Sequence, residues 1–228
     1  QVTEGRERIV ADAARIAASA GMCVVLPTYE LHGDRVRNSA VILDRTGAEV
    51  GRYAKVHVTE KEKQDYGVVP GGEYPTFDLD FGRAGVMICY DGHFPEVAGI
   101  LALAGADIIF FPSLQRGYGE QNIEVQVRAR ALDNAVHVVR SSYGVPAGQP
   151  WTPGKVAGLS CIVNDGGRII ANCGRHEGYA IADVDLDRPR IAERSHGGQV
   201  GEARRFLVQD RRPDTYGALT LNAPEGGR

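Results

Sequence analysis

The chain of 228 residues is 43% hydrophobic and 24% charged, with a net charge of −3. That is the balance of a globular protein with one sizeable core, and it leaves no basic footprint for nucleic acid or an anionic membrane surface. No run approaches the ~18 consecutive apolar residues of a membrane-spanning helix, and the charged N-terminal stretch is unlike a secretory signal.

In chain order, residues 6–20 place Ile9, Val10, Ala13, Ala14, Ile16 and Ala17 on one face at helical spacing and stop at Gly21, predicting a helix. Residues 22–26 follow as a short buried strand stopped by Pro27. Residues 39–53 read as a hairpin turning at 44–47. The chain then continues through Lys55 and His57 into a polar loop over 59–66, closed by Pro70-Gly71-Gly72. Residues 81–96 are the most informative stretch. Ala84, Val86, Met87 and Ile88, broken only by Gly85, run into Cys89; an Asp91-Gly92-His93 turn and Pro95 then precede an apolar helix over 95–104. The order strand, cysteine, tight turn, helix lifts a thiol out of a strand end. It aims the thiol near a helix N-terminus, where free N–H groups favour a thiolate and an incoming oxyanion. An ordinary buried cysteine is the competing reading, because free cysteine is among the most buried residue types. A second buried strand over 107–111 ends in Pro112-Ser113.

The later half repeats the earlier order: a helix over 122–132, a strand over 135–140 and a hairpin over 159–171 turning on Asp165-Gly166. The segments 38–47 and 158–167 share composition and turn placement, so helix, strand and hairpin occur twice. Two such halves, each a sheet with helices on one face, bury their inner faces by packing sheet to sheet. The expected fold is a single α/β domain over 1–228, built as a four-layer α-β-β-α sandwich. Hairpins interrupt the strand–helix alternation that a doubly wound sheet requires. Residues 189–228 are rich in Arg, Asp and Gly with little periodicity, predicting an extended or partly disordered C-terminal arm, with 211–216 a docking segment for a partner subunit. The cysteines Cys23, Cys89, Cys161 and Cys173 are too scattered for a disulfide framework, so a reducing, cytoplasmic setting is expected. Lysine is scarce, with Lys55, Lys61, Lys63 and Lys155 beside 22 arginines.

Gly51-Arg52-Tyr53-Ala54-Lys55-Val56-His57, Pro70-Gly71-Gly72, the stretch 81–91, Phe94-Pro95-Glu96, and Gly105-Ala106-Asp107 with Pro112-Ser113 resemble the nitrilase, or carbon-nitrogen hydrolase, superfamily. The motifs occur in the same order across essentially the whole chain. The resemblance implies the four-layer sandwich and a Glu-Lys-Cys catalytic set in which Cys89 is the nucleophile and Lys55 the lysine. It implies no metal or organic cofactor, a small-molecule amide as ligand, and a homodimer or higher homo-oligomer. A second glutamate orients the lysine from a few residues downstream; Glu62 is the choice and Glu60 the reserve, against a merely solvated charge run.

The chemistry explains those residue types. A thiol near its ordinary pKa of ~8.5 is mostly protonated at neutral pH, and an adjacent ammonium favours the reactive thiolate. When Cys89 attacks an amide carbonyl, Lys55 and the backbone N–H of Tyr90 would meet the charge that develops on oxygen, where one such donor is worth ~3 kcal/mol. A carboxylate must still move protons to the leaving ammonia and from the hydrolytic water. The resemblance puts that glutamate on a strand upstream of the 6–20 helix, yet the chain opens directly into that helix. The first strand, helix and second strand of the fold, about fifty residues at typical element lengths, are expected to be missing. A fragment of a longer product fits this better than a truncated, inactive binding or assembly protein. Glu30, after Leu26-Pro27-Thr28-Tyr29, is a weak substitute, because the family has an ordinary loop there.

His57 and His93 offer a Cys–His pair as a rival mechanism, and the six histidines are too dispersed for a metal site. The residues after the cysteine resemble the amidase-like branches: nitrilases usually have Trp-Glu there, and carboxylate-holding carbamoylases place arginines where Gly92 and His93 stand. His93, Phe94, Ser113, Leu114 and Arg116 are expected to wall the pocket, Arg116 as an anion anchor. The expected reaction is hydrolysis of a small linear amide, releasing ammonia through a cysteine thioester. Nitriles and N-carbamoyl amides are the alternative substrates.

Overall fold

Helix α1 (Val2–Ala20) lays Val10, Ala13, Ala14 and Ala17 against Val24, Val41 and Leu43 of a three-stranded antiparallel sheet formed by β1 (Val24–His32), β2 (Arg35–Leu43) and β3 (Glu49–Ala54). The computed structural model describes residues 2–115, 120–152, 154 and 158–221. Because strand side chains alternate, the other face of this sheet carries Ala40, Ile42 and Tyr53, which pack with Phe77, Val86 and Ile88 across the sandwich. The hairpin between β2 and β3 tucks under α1, where a Cβ on Gly47 (φ 81°) would stand 2.3 Å from the Ala14 carbonyl oxygen.

After a short helix, α2 (Glu60–Tyr66), the second sheet runs in the order β4 (Thr76–Leu79), β5 (Gly82–Val86), β6 (Ile108–Ser113), β7 (His137–Ser142), β8 (Cys161–Val163) and β9 (Ile169–Asn172). Strands β5, β6 and β7 are parallel and the other pairs antiparallel. Parallel neighbours need crossovers, and α3 (Pro95–Leu103) and α4 (Glu120–Asn134) supply them. Both helices cover the outer face: Val97, Ala98, Leu101, Ile123 and Val127 pack on Ile109, Phe111 and Val138, while Phe110 between them turns to the first sheet. The layers are α, β, β, α, as the repeat predicts, with three strands in one sheet and six in the other.

Four local expectations are corrected. The first strand neither ends at Pro27 nor is it short; Pro27 pairs with Ala40 in the β1–β2 ladder and the strand continues to His32. It lies at the edge of its sheet, where a missing N–H is tolerated. Glu30 therefore sits within a strand, not a loop. Residues 59–66 are helical, because Thr59 and Glu62 cap each other's backbone N–H groups. The chain divides into two units, 1–188 and 189–228. In the second, β10 (Ile191–Glu193) and β11 (Val200–Glu202) pair antiparallel and lead into α5 (Ala203–Gln209), so its described residues, 189–221, include short regular elements where an extended or partly disordered arm was expected. Three-residue strands are too short to show a period. Among the described residues no helix is long and apolar enough to cross a membrane.

Ile42 is 0% exposed between the two sheets, whereas Ile9 on α1 is 55% exposed. Ile42→Ala is expected to lower unfolding free energy in a urea titration by about 3 kcal/mol, and Ile9→Ala by under about 0.5 kcal/mol.

Candidate active site

Three parallel strands end on one edge of the second sheet, the edge where open α/β sheets gather functional groups. Strand β5 runs out through Met87 and Ile88 into one 3-10 turn, Cys89–His93, before α3 begins. Cys89 takes the left-handed backbone conformation, φ 48°, at a cost of about 1–2 kcal/mol for a residue with a Cβ. Its neighbours impose that shape. The Asp91 carboxylate accepts from the Ile88 N–H at 2.9 Å, and a Cβ on Gly92 would stand 2.3 Å from the Phe111 ring. The thiol is half-buried and directed at the Leu114 carbonyl, 3.6 Å away, just past the end of β6. Cys161 is the buried cysteine of this chain, its thiol pushed up to about 11 by burial.

Lys55 lies where β3 leaves the first sheet. Its N–H donates to the Asn38 carbonyl and its carbonyl accepts from the Gly71 N–H, both at 2.8 Å. A Cβ on Gly71 would stand 2.2 Å from the Ala54 oxygen, so only glycine fits. The Lys55 side chain is 1% exposed, and its ammonium meets Glu62 Oε2 at 2.6 Å. The N–H and hydroxyl of Thr59 donate to that same oxygen at 2.9 and 2.8 Å, and Asn38 Nδ2 donates to Oε1 at 2.8 Å. Burial pushes the Glu62 carboxyl up, but the hydrogen bonds from Lys55, Thr59 and Asn38 outweigh it and hold the group below its usual range. Glu60, the reserve, is exposed and joins Gln64 and Lys63.

Glu30 stands opposite Arg37 in the β1–β2 register, on the face that carries Val41 and Leu43. It accepts from Ser39 Oγ at 2.7 Å and pairs with Arg52 and, at 4.0 Å, with Arg6 of α1. It faces the helix layer, whereas Tyr53 and Asn38 face the other sheet. Glu30 therefore does not stand in for a base at Cys89.

A residue given no role from sequence ties the two motif segments together. Asp91 is 0% exposed. Besides Ile88 N–H, its carboxylate accepts from the Tyr53 hydroxyl at 2.7 Å and the His57 N–H at 2.9 Å, and lies 3.0 Å from His57 Nδ1. Burial, then the Asp91 charge, holds the Tyr53 phenol protonated, far above its ordinary pKa. The His57 ring stacks on Phe94 with centroids 3.7 Å apart. Cys89 and Val56 pack against the one buried cluster that contains Tyr53, bringing the cysteine turn to the segment flanking Lys55.

The other expected pocket residues gather at the same edge. His93 lies 3.4 Å from Gln115 Nε2 and 5.1 Å, ring to ring, from Tyr90; burial, then the Arg130 charge, pushes its pKa down, favouring neutral imidazole. The two histidines suggested as thiol partners thus engage Asp91 and Gln115. Ser113 is buried, and its hydroxyl has no hydrogen-bond partner among the described residues. Arg116 lies outside the described residues. Arg140, read only as a strand end, is a buried brace: it donates to the Gly158 and Leu159 carbonyls, Gln115 Oε1 and Ser142 Oγ. Among the described residues no group of three His, Cys, Asp or Glu could hold a metal ion. The Thr59-x-x-Glu62 capping pattern was the signal that could have located α2; no sequence signal marked Asn38 as the partner of Glu62, or Asp91 as the partner of Tyr53 and His57.

The four layers and the cysteine turn at the parallel strand ends define the nitrilase type of fold. The chain matches the carbon-nitrogen hydrolase family over residues 2–192 and belongs to it. It is 31% identical over 194 residues to deaminated glutathione amidase of Mus musculus, covering 81% of this chain and 56% of that protein. It is 34% identical over 175 residues to a nitrilase of Pyrococcus abyssi, covering 75% of this chain and 62% of that one. The chain thus spans little more than half the length of these relatives. A solved mutant of the amidase from Nesterenkonia sp. AN1, with the acetamide moiety of fluoroacetamide added covalently at its active-site cysteine, shares the fold: TM-score 0.75 at 21% identity, over 96% of this chain and 74% of that one.

Asp91→Ala strands three buried donors and is expected to lower stability by about 3 kcal/mol or more in denaturant titration, with Asp91→Asn milder. Glu62 has a depressed pKa in the folded state. It therefore adds stability that is complete above the unfolded value of ~4.3 and fades as pH falls through the folded value. Glu62→Gln is expected to flatten the acid limb of stability against pH; an unchanged limb would refute the ion pair.

Proposed function

We propose that this protein hydrolyses small linear amides through a thioester on Cys89, with Lys55 and the backbone N–H of Tyr90 meeting the oxyanion and Glu62 holding Lys55. The observations that carry this reading are the buried Lys55 ammonium, 2.6 Å from Glu62, and the cysteine turn, whose Asp91 accepts from Tyr53 and His57 on either side of Lys55. Burial excludes water, so an ammonium fixed by a carboxylate acts on developing charge without first reorganising. The Tyr90 N–H lies in the first turn of a 3-10 segment, where helix starts leave donors without intrahelical acceptors.

In the first half-reaction the Cys89 sulfur bonds to the amide carbon and the carbonyl π electrons move onto oxygen, which accepts from Lys55 and Tyr90. The tetrahedral species collapses by breaking the C–N bond; the nitrogen takes a proton and leaves as ammonia. Water then adds to the thioester, and cleavage of the C–S bond releases the acid and returns the thiol. These proton transfers call for a carboxylate other than Glu62, whose oxygens are committed to Lys55, Thr59 and Asn38. The resemblance assigns it to a strand upstream of α1, so the full-length protein is the one to assay.

Two features favour amides over the neighbouring chemistries. Tyr90-Asp91 stands where nitrilases usually have Trp-Glu. Position 92 has no room for the carbamoylase arginine, since a Cβ there already meets the Phe111 ring at 2.3 Å. The expected result is ammonia release from a panel of short amides, abolished in Cys89→Ala, with kcat reduced about 10²–10³-fold in Lys55→Gln. Mass spectrometry of quenched reactions should show an acyl adduct on Cys89; ammonia release undiminished in Cys89→Ala would sink the proposal.

A further inference from the structure

The mouth of the site is aromatic and apolar to a degree that a small aliphatic amide does not require. Tyr29, Tyr66, Tyr90, Leu114 and Tyr143 are 46%, 61%, 36%, 38% and 68% exposed. Separate elements bring them to one place. Tyr29 stands opposite Asn38 in the β1–β2 register, and Asn38 Nδ2 holds Glu62 at 2.8 Å. Tyr66 follows Glu62 by four residues in α2, hence on the same helical face. Leu114 offers the carbonyl that faces the Cys89 thiol, Tyr90 is the next residue after that cysteine, and Tyr143 follows β7 at the same edge of the sheet. Burial, then electrostatic interaction with Glu62, Tyr66, Tyr143 and Cys89, raises the Tyr29 pKa, which fits their lying in its neighbourhood.

Charge points the same way. On β3, α2, the 89–93 turn, β6 and β7, the basic side chains are already engaged. Lys55 is held by Glu62, Arg52 by Glu49, Lys61 by Asp65 and Lys63 by Glu60. His93 engages Gln115, and Arg140 donates to two carbonyls and two side chains. Of the neighbouring basic groups, Arg130 of α4 donates to the Gly92 carbonyl and Arg37 of β2 lies on the sheet face toward α1. Among the described residues, none of β3, α2, the 89–93 turn, β6 and β7 offers a substrate carboxylate an uncommitted cation, whereas tyrosine rings offer flat faces.

We propose that the acyl group this site selects is neutral and carries a flat aromatic ring, as in an arylalkyl amide, which seats among Tyr29, Tyr66 and Tyr143 while its carbonyl reaches Cys89. This rests on the amidase reading for the identity of the reacting group, but its test is a binding measurement. Full-length protein carrying Cys89→Ala is titrated calorimetrically with 3-phenylpropanamide, butyramide and succinamate. The aryl amide is expected to bind about tenfold or more tightly than butyramide, from two ring contacts of ordinary strength, with succinamate weakest. Tyr29→Ala and Tyr66→Ala are each expected to reduce the aryl-to-alkyl ratio severalfold, and Tyr29→Phe to preserve it. An aryl-to-alkyl ratio near one, a succinamate preference, or a ratio unmoved by both alanine variants overturns the inference. Tight aryl binding without turnover of any amide by wild type would retain this inference and remove the hydrolytic reading. Hydrolysis of amides without an aryl preference in binding would do the reverse.

Discussion

A single buried carboxylate holds this site together. Asp91 belongs to the turn that carries Cys89, yet two of its acceptor contacts go to Tyr53 and His57, on either side of Lys55. A carboxylate without solvent must have its lone pairs filled, and here the groups that fill them come from both sheets. The need to satisfy that charge therefore fixes the cysteine turn against the lysine segment. Hydrophobic packing alone, which is non-directional, would leave the two free to slide.

The second constraint is the alternation of strand side chains. In β2, Val41 and Leu43 face α1 while Ala40 and Ile42 face the other sheet. That parity puts Asn38 on the inner side and Ser39 on the outer. Glu62 is recruited to the site by Asn38, and Glu30 is held away from it by Ser39, Arg52 and Arg6. Two glutamates of equal chemistry thus differ entirely in what they can touch. Burial of Lys55 and Glu62 carries a desolvation penalty that a bare ion pair would not recover. The extra donors from Thr59 and Asn38, and the two backbone bonds that clamp Lys55, make the arrangement tenable.

Much of this was legible before any coordinates. The apolar run into Cys89, the repeated helix, strand and hairpin, and the 3.6-residue face of α1 are local patterns, because burial on one side imposes a period on the sequence. The layered architecture and the strand-end position of the cysteine follow from them, whereas the choice of Glu62 over Glu60 came with the family resemblance. What escaped was set by short or reciprocal contacts. Helix α2 is seven residues long and was hidden in a charged run. Strand β1 passes through a proline that would end a central strand but not an edge one. The β10–β11 hairpin has strands of three residues, below the length at which alternation can be seen.

The sequence by itself determined the layering, the family and the place of Cys89 at a strand end, since each is written in residues that are neighbours along the chain or recur at a fixed spacing. Only the tertiary structure decided that Asp91 joins the two motifs, that Glu30 faces away, and that Asn38 reaches Glu62. Those facts depend on which side chains meet across sheets and strand ends, and contacts between residues dozens of positions apart leave no period or spacing in a single chain from which they could be read.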